Sequence, residues 1–124
     1  MAVTALLAGV LLAQATAPSI TVEAGSDRVD VGFEQLQAGH PAEAIDRIRA
    51  NRRLEIGDPA ALINLGTAHA RLGHRDQAMA QYLSAITSKE RYDLELADGR
   101  WMDSRKAARL AITMLKQGQT LALR

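Results

Sequence analysis

Residues 58–87 carry a pattern of hydrophobic positions that predicts two short amphipathic helices joined by a tight turn. Asp58 can cap the first helix, and Pro59 suits its first turn because proline has no N–H to leave unpaired. The packed face of this helix has helical spacing and consists of Leu62, Leu65, Gly66 and His69. Gly73 marks the end of the helix, since glycine tolerates the left-handed conformation that follows many helices.

The second predicted helix of this pair starts near Arg75. Its buried face also has helical spacing and consists of Ala78, Met79, Tyr82, Ala85 and Ile86. Two helices joined by so short a turn pack closely only where no bulky side chain separates them. We therefore expect Gly66 and Ala78 to lie at the contact between the two helices.

An upstream segment repeats this unit in a weaker form. Gly39 precedes Gly73 by 34 residues. Three more pairs share that offset: Gly32 with Gly66, His40 with His74, and Ala44 with Ala78. The offset predicts an earlier pair of helices, at about Arg28–Ala38 and Pro41–Arg53.

The two units resemble the tetratricopeptide repeat, a family of helix pairs with a 34-residue period and the pattern W-x2-L-G-x2-Y, A-x3-F, P. Four residues of the second unit match this pattern: Leu65, Gly66, Ala78 and Tyr82. Other residues stand at its tryptophan and tyrosine positions: Leu62 and His69 in the second unit, Arg28 and Gln35 in the first. The resemblance covers repeats at about 28–54 and 59–87. It implies a mainly α fold, an α-solenoid fragment of the kind found in small exported bacterial proteins.

After Thr87 the pattern changes to an alternation of polar and apolar residues. Tyr92–Leu96 has the period of a strand, and Asp98-Gly99 is a favoured dipeptide for a two-residue hairpin turn. These features predict a β-hairpin at 92–102, with an irregular loop as the alternative. Because a lone hairpin is only marginally stable in water, Leu94 or Trp101 should pack on the helices.

The last predicted element is a helix at about 104–117, which Gly118 would end, followed by a tail at 118–124. Arrays of helical repeats expose an apolar face at each end. The apolar flank of this helix would cap one such face. Residues 28–117 would then form one domain.

The N-terminal residues 1–17 form an uncharged apolar run that is short for a membrane span. Ala13-Gln14-Ala15 and Ala15-Thr16-Ala17 have the small-x-small pattern of a signal peptidase site. We interpret the run as a signal peptide and expect a periplasmic or secreted protein. No Lys or Arg precedes the run, which leaves open a helix packed on the domain or an uncleaved membrane anchor. Residues 18–27 are interpreted as a linker, in which Ser19–Glu23 could be extended.

Composition narrows the classes of function. The 124 residues include no cysteine, which excludes a disulfide and a thiolate metal site. The formal net charge of +1 gives no strong attraction to nucleic acid or acidic membranes. The sequence has no zinc-protease, nucleophile-elbow or phosphate-loop motif. We therefore predict a protein that is not an enzyme and uses no cofactor or metal.

The histidines and the acidic hairpin residues are interpreted as structural. His40 and His74 each follow a turn glycine, at a helix start, about one repeat apart and too far to share a metal. His69 is expected to be a partly buried, hydrogen-bonded core residue. The acidic residues of the hairpin lack the spacing of a calcium loop: Asp93, Glu95, Asp98 and Asp103.

In tetratricopeptide proteins the first helix of each pair lines a concave face that binds peptides or partner proteins. The resemblance therefore implies a ligand groove with six lining residues: Asp30, Phe33, Gln37, Asn64, Thr67 and Arg71. The Asn64 amide could pair with a peptide backbone, and Arg71 could hold a carboxylate. The alternative is that both are ordinary exposed helix residues. We predict a scaffold or adaptor whose ligand is a protein or peptide.

The alternative function is anion or nucleic-acid binding through the basic cluster at Arg47–Arg53. Three acidic residues interleave with these arginines: Glu43, Asp46 and Glu55. Such interleaving favours a solvated helix face with i,i+4 ion pairs.

Overall fold

The computed structural model describes residues 19–23 and 31–122. The helices in these ranges are α1 (Phe33–Gln37), α2 (Pro41–Arg49), α3 (Arg52–Glu55), α4 (Pro59–Arg71), α5 (Arg75–Thr87) and α6 (Ser104–Ala122). The strands are β1 (Val22–Glu23), β2 (Asp93–Leu96) and β3 (Trp101–Asp103), in an antiparallel sheet of order β1-β2-β3. The predicted mainly α fold and the presence of a hairpin are confirmed. The predicted two-residue turn at Asp98-Gly99 is wrong, because Glu95 pairs with Trp101 and Leu96 bonds to Arg100, which leaves a loop of three residues, 97–99. The predicted signal peptide lies outside the described residues.

Helix α4 is the centre of the core, because it packs against α2, α5, α6 and β1. Every residue from Pro59 to His69 is buried. The helix begins as predicted, since Oδ1 of Asp58 accepts a hydrogen bond of 3.0 Å from the N–H of Ala60. Leu54 in α3 is partly buried and packs against this core.

The contact between α4 and α5 requires a glycine at position 66. A Cβ atom there would lie 2.6 Å from Cε1 of Tyr82 and 3.1 Å from the carbonyl oxygen of Ala78. An equivalent contact occurs in the first unit, where a Cβ on Gly32 would lie 3.0 Å from Cδ1 of Ile48. Ile48 and Tyr82 are themselves 34 residues apart, so the sequence register corresponds to an equivalent packing contact.

The turns of the two units are also equivalent. Gly39 and Gly73 both have a φ angle of 78°. The N–H of His40 donates to the carbonyl of Gln35 at 2.8 Å, and the N–H of His74 donates to the carbonyl of His69 at 2.8 Å. A left-handed glycine with this 6→1 hydrogen bond is the Schellman motif, which ends each first helix.

The first unit differs from the predicted helices at both ends. Helix α1 begins at Phe33, because Gly32 before it has a left-handed conformation with φ 73°. The predicted start at Arg28 lies outside the described residues. Helix α2 ends at Arg49 and not at Arg53, because Asn51 is extended and its side chain accepts from the N–H of Arg53 at 3.0 Å. An asparagine that bonds the main chain two residues on starts a new turn, here α3, in place of the next helical turn.

The hairpin contacts the helices through Leu94, which is 1% exposed, whereas Trp101 is 61% exposed. Helix α6 packs on α5 and α4. It continues to Ala122, so the predicted stop at Gly118 and the predicted tail are wrong. Glycine permits a left-handed turn without imposing one, and Gly118 stays helical.

Residues 19–23 are not a linker, because Ile20, Thr21 and Val22 are buried and β1 pairs with β2. Successive side chains of an extended chain point to opposite faces, so both faces of this segment are covered. Among the described residues, no helix combines the length and the hydropathy needed to cross a membrane.

Candidate functional site

Three of the predicted groove residues lie on one face of α4 and contact the segment Ser19–Val22. Asn64, Thr67 and Arg71 are three and four residues apart, which is the spacing of one helical face. We call these three residues the α4 acceptor face. Their hydrogen bonds run to main-chain and hydroxyl groups of the segment.

Asn64 holds Val22 by both of its main-chain polar groups. Its Oδ1 accepts from the N–H of Val22 at 2.8 Å, and its Nδ2 donates to the carbonyl of Val22. The same Nδ2 donates to the carbonyl of Val31 at 3.0 Å. A side-chain amide has the donor and acceptor of a peptide group, so Asn64 bonds to Val22 as a neighbouring strand would.

Thr67 connects the segment Ser19–Val22 to the contact between α4 and α5. Its hydroxyl donates to the carbonyl of Ile20 and lies 3.0 Å from the hydroxyl of Tyr82. Since Thr67 has a single proton to donate, the Tyr82 hydroxyl donates to Thr67. Burial raises the pKa of Tyr82 to about 12, against smaller opposing effects of Thr67 and Arg71, so the phenol keeps this proton at neutral pH.

Arg71 holds the start of the segment. Its Nε and Nη2 donate to the hydroxyl of Ser19 at 2.9 and 2.7 Å, and Nη2 also lies 3.3 Å from the hydroxyl of Thr21. Its Nη1 donates to the carbonyl of Leu36 at the end of α1. Burial lowers the pKa of Arg71 from its ordinary value, but a guanidinium remains charged at any physiological pH.

Strand β2 holds the opposite edge of the segment. The carbonyl of Thr21 accepts from the N–H of Ala97 at 3.0 Å, and Val22 is the register partner of Leu96. The main-chain groups of Ile20 and Val22 thus point to α4, and that of Thr21 points to β2. The segment lies as an extended chain between a helix face and a strand edge.

This arrangement requires an extended main chain on the α4 acceptor face. Asn64 and Thr67 are completely buried, with no exposed surface. A buried polar group without a partner costs about 1–3 kcal/mol. Without a segment at this position, both side chains would lose their main-chain partners while still surrounded by the core. The segment Ser19–Val22 therefore satisfies the buried polar groups of the α4 acceptor face.

The other predicted groove residues are not part of this arrangement. Phe33 packs partly against the core, Gln37 is exposed, and Asp30 lies outside the described residues. Asn64 is not an ordinary exposed helix residue, which was the alternative from the sequence. Sequence reasoning missed Ser19–Val22 as part of the site, although its alternating hydroxyl and β-branched residues did indicate an extended chain.

The basic cluster is divided between two helices. Nη1 of Arg53 lies 3.1 Å from Oδ2 of Asp58, whose side chain is 4% exposed. The Tyr92 hydroxyl donates to the other oxygen of Asp58, and burial followed by this carboxylate raises the Tyr92 pKa. Arg53 is therefore engaged with a buried carboxylate. The break at Asn51 separates it from the arginines of α2.

His69 is a buried, hydrogen-bonded histidine, as predicted, and is 5% exposed. Its Nδ1 lies 3.2 Å from Nδ1 of His74, which precedes α5. Burial, then the charge of Arg49, then His74 lower the pKa of His69. Within the part of the chain that the structure describes, no three His, Cys, Asp or Glu side chains are grouped for metal binding.

Comparisons with protein-family models, curated proteins and solved structures found no match to this chain. The tetratricopeptide resemblance therefore stays a prediction from the sequence.

Proposed function

We propose that the chain is a non-enzymatic protein- or peptide-binding module of the tetratricopeptide type. Its α4 acceptor face would bind an extended segment of a partner in the way it holds Ser19–Val22. The observation that supports this proposal is the paired hydrogen bonding of the Asn64 amide to both main-chain groups of Val22.

The mode of binding would be the addition of a strand. Main-chain hydrogen bonds to Asn64, Thr67 and the edge of β2 supply affinity without reading side chains, and pockets for alternate side chains supply specificity. In the segment observed here, Ile20 and Val22 are the buried aliphatic residues. A partner segment would carry aliphatic residues at the same two alternate positions.

A labelled peptide of the sequence Ser-Ile-Thr-Val-Glu tests this function by fluorescence anisotropy with the full chain. We expect saturable binding of this peptide, and binding of Ala-Ile-Ala-Val-Glu that is weaker by about tenfold or more, because the two hydroxyls that Arg71 would hold are lost. Ser-Ile-Thr-Val-Asp is the matched control, since the bonds to the α4 acceptor face come from the first four residues. Equal binding of the two altered peptides would place the peptide elsewhere.

Export belongs to the same proposal. The apolar run at 1–17 and its two small-x-small sites support a periplasmic or secreted module. Mass spectrometry of the mature protein tests it, with a new N-terminus after Ala15 or Ala17 as the expected result. An N-terminus still at Met1 in the exported fraction would contradict cleavage.

A further inference from the structure

We propose that Ser19–Val22 acts as a built-in competitor that closes the α4 acceptor face until a partner segment displaces it. This inference rests on the proposed function and adds its regulation. The free protein would be latent, and its affinity for a partner would be set by the strength with which it holds its own segment.

The first support is that the acceptor groups are already engaged. Asn64 uses its Oδ1 and Nδ2 on Val22 and Val31, and the proton of Thr67 is donated to Ile20. Arg71 uses Nε, Nη1 and Nη2 on Ser19, Thr21 and Leu36. A second extended chain cannot form these bonds while Ser19–Val22 remains in position.

The second support is that exchange would conserve most of the interactions. Asn64, Thr67 and β2 bond to the main chain of the segment, which any extended peptide of the same direction also offers. The side-chain requirements are two buried aliphatic residues, at the positions of Ile20 and Val22, and two hydroxyls near Arg71. A competing partner would therefore be an extended segment in which residues with a hydroxyl alternate with aliphatic residues.

The tether decides how strongly the segment competes. A segment of the same chain competes intramolecularly, at an effective concentration on the order of millimolar. The apparent affinity of a partner falls in proportion to the fraction of molecules in which the face is open. Weakening the internal segment should therefore strengthen binding of an external one.

The double variant Val22→Cys plus Leu96→Cys tests the proposal by locking the segment in place. Val22 and Leu96 are register partners. The adjacent hydrogen bond from Ala97 to Thr21 makes theirs a non-hydrogen-bonded pair, with Cα atoms about 4.5 Å apart and within disulfide range. The natural chain has no cysteine, so no other disulfide competes.

The labelled peptide Ser-Ile-Thr-Val-Glu is the probe, and the full chain is used throughout. The oxidised double variant should not bind it, and reduction should restore binding. Val22→Ser, which weakens the internal segment by loss of a buried aliphatic group, should bind about tenfold more tightly than the wild type. Circular dichroism and thermal melting of both redox forms, with Val22→Cys alone as control, establish that the variants are folded.

Two results would overturn the proposal in distinguishable ways. Equal binding by the oxidised and reduced forms would mean that Ser19–Val22 does not close the site, although peptide binding itself would stand. No binding by the reduced form or by Val22→Ser would overturn the proposed function, and the competition with it.

Discussion

The first helix pair, residues 31–55, and the second, residues 58–87, share their turns and contacts but differ in their helices. The left-handed glycines at 39 and 73 have the same φ angle and the same hydrogen bonds. Yet α1 has 5 residues and α4 has 13. The comparison shows that a turn is set locally, whereas the length of a helix depends on what surrounds it.

The surroundings of α4 account for its length. It is covered by α2, α5, α6 and β1, and its buried polar residues Asn64 and Thr67 have partners on the segment Ser19–Val22. Short helices are marginal by propensity alone and gain most of their stability from packing. Helix α1 packs mainly on α2, and α2 itself ends where the Asn51 side chain competes with the next helical turn.

The largest expected loss of stability follows from a change in the α4 acceptor face, which belongs to the second unit. Asn64→Ala leaves the N–H and carbonyl of Val22 and the carbonyl of Val31 without this partner. We expect the free energy of unfolding to fall by about 3 kcal/mol or more, since each buried unpaired group costs about 1–3 kcal/mol. Urea unfolding measures it, and Gln77→Ala, an exposed amide on α5, should change stability by less than about 0.5 kcal/mol. A similar loss in both variants would contradict the role of Asn64.

The next effect tests the contact between α4 and α5. Gly66→Ala should lower the free energy of unfolding by about 2 kcal/mol, because the new methyl group would overlap the ring of Tyr82. Gly118→Ala in α6 is the matched control, since its added Cβ would meet no described atom within 4 Å outside its chain neighbours and the nearby backbone of its own helix. That change should be neutral or stabilising by up to about 1 kcal/mol. Thermal unfolding distinguishes the two, and a stabilising Gly66→Ala would refute the close contact.

A smaller effect sharpens the equivalence of the turns. Gly39→Ala and Gly73→Ala each place a side chain in a left-handed conformation, with open space around the new Cβ. Each should cost about 1–2 kcal/mol from backbone strain alone. Urea unfolding of both variants should give losses equal within about 0.5 kcal/mol. Clearly unequal losses of the free energy of unfolding would mean that the two turns are not equivalent.

The smallest effect is a pH dependence of stability that arises from His69 in the second unit. The pKa of His69 lies below its ordinary 6.5, so the unfolded chain binds the proton more readily. The free energy of unfolding should therefore decrease as the pH falls from about 7.5 to about 5. The first unit has Gln35 at the position equivalent to His69. The variant His69→Gln should reduce the change of the free energy of unfolding with pH. Urea unfolding of the wild type and the variant at the two pH values measures this change. The same decrease of the free energy of unfolding in both proteins would contradict the role of His69.

The sequence was sufficient where local chemistry decides the structure. The Asp58 cap, the turn at Gly73 and the hairpin at Asp98-Gly99 each depend on a few adjacent residues. It was insufficient where a partner distant in the chain decides. The burial of Asn64 depends on Val22, 42 residues away, and a helical pattern alone cannot distinguish a polar residue facing solvent from one facing a buried strand.

Amide hydrogen exchange at Val22 tests the central claim most directly, since this N–H is bonded to Asn64 and not to another strand. With excess Ser-Ile-Thr-Val-Glu peptide, the account predicts faster exchange at Val22, because the internal segment is displaced, and unchanged exchange at Leu65 within α4. Undiminished protection of Val22 at a peptide concentration that saturates binding would contradict it.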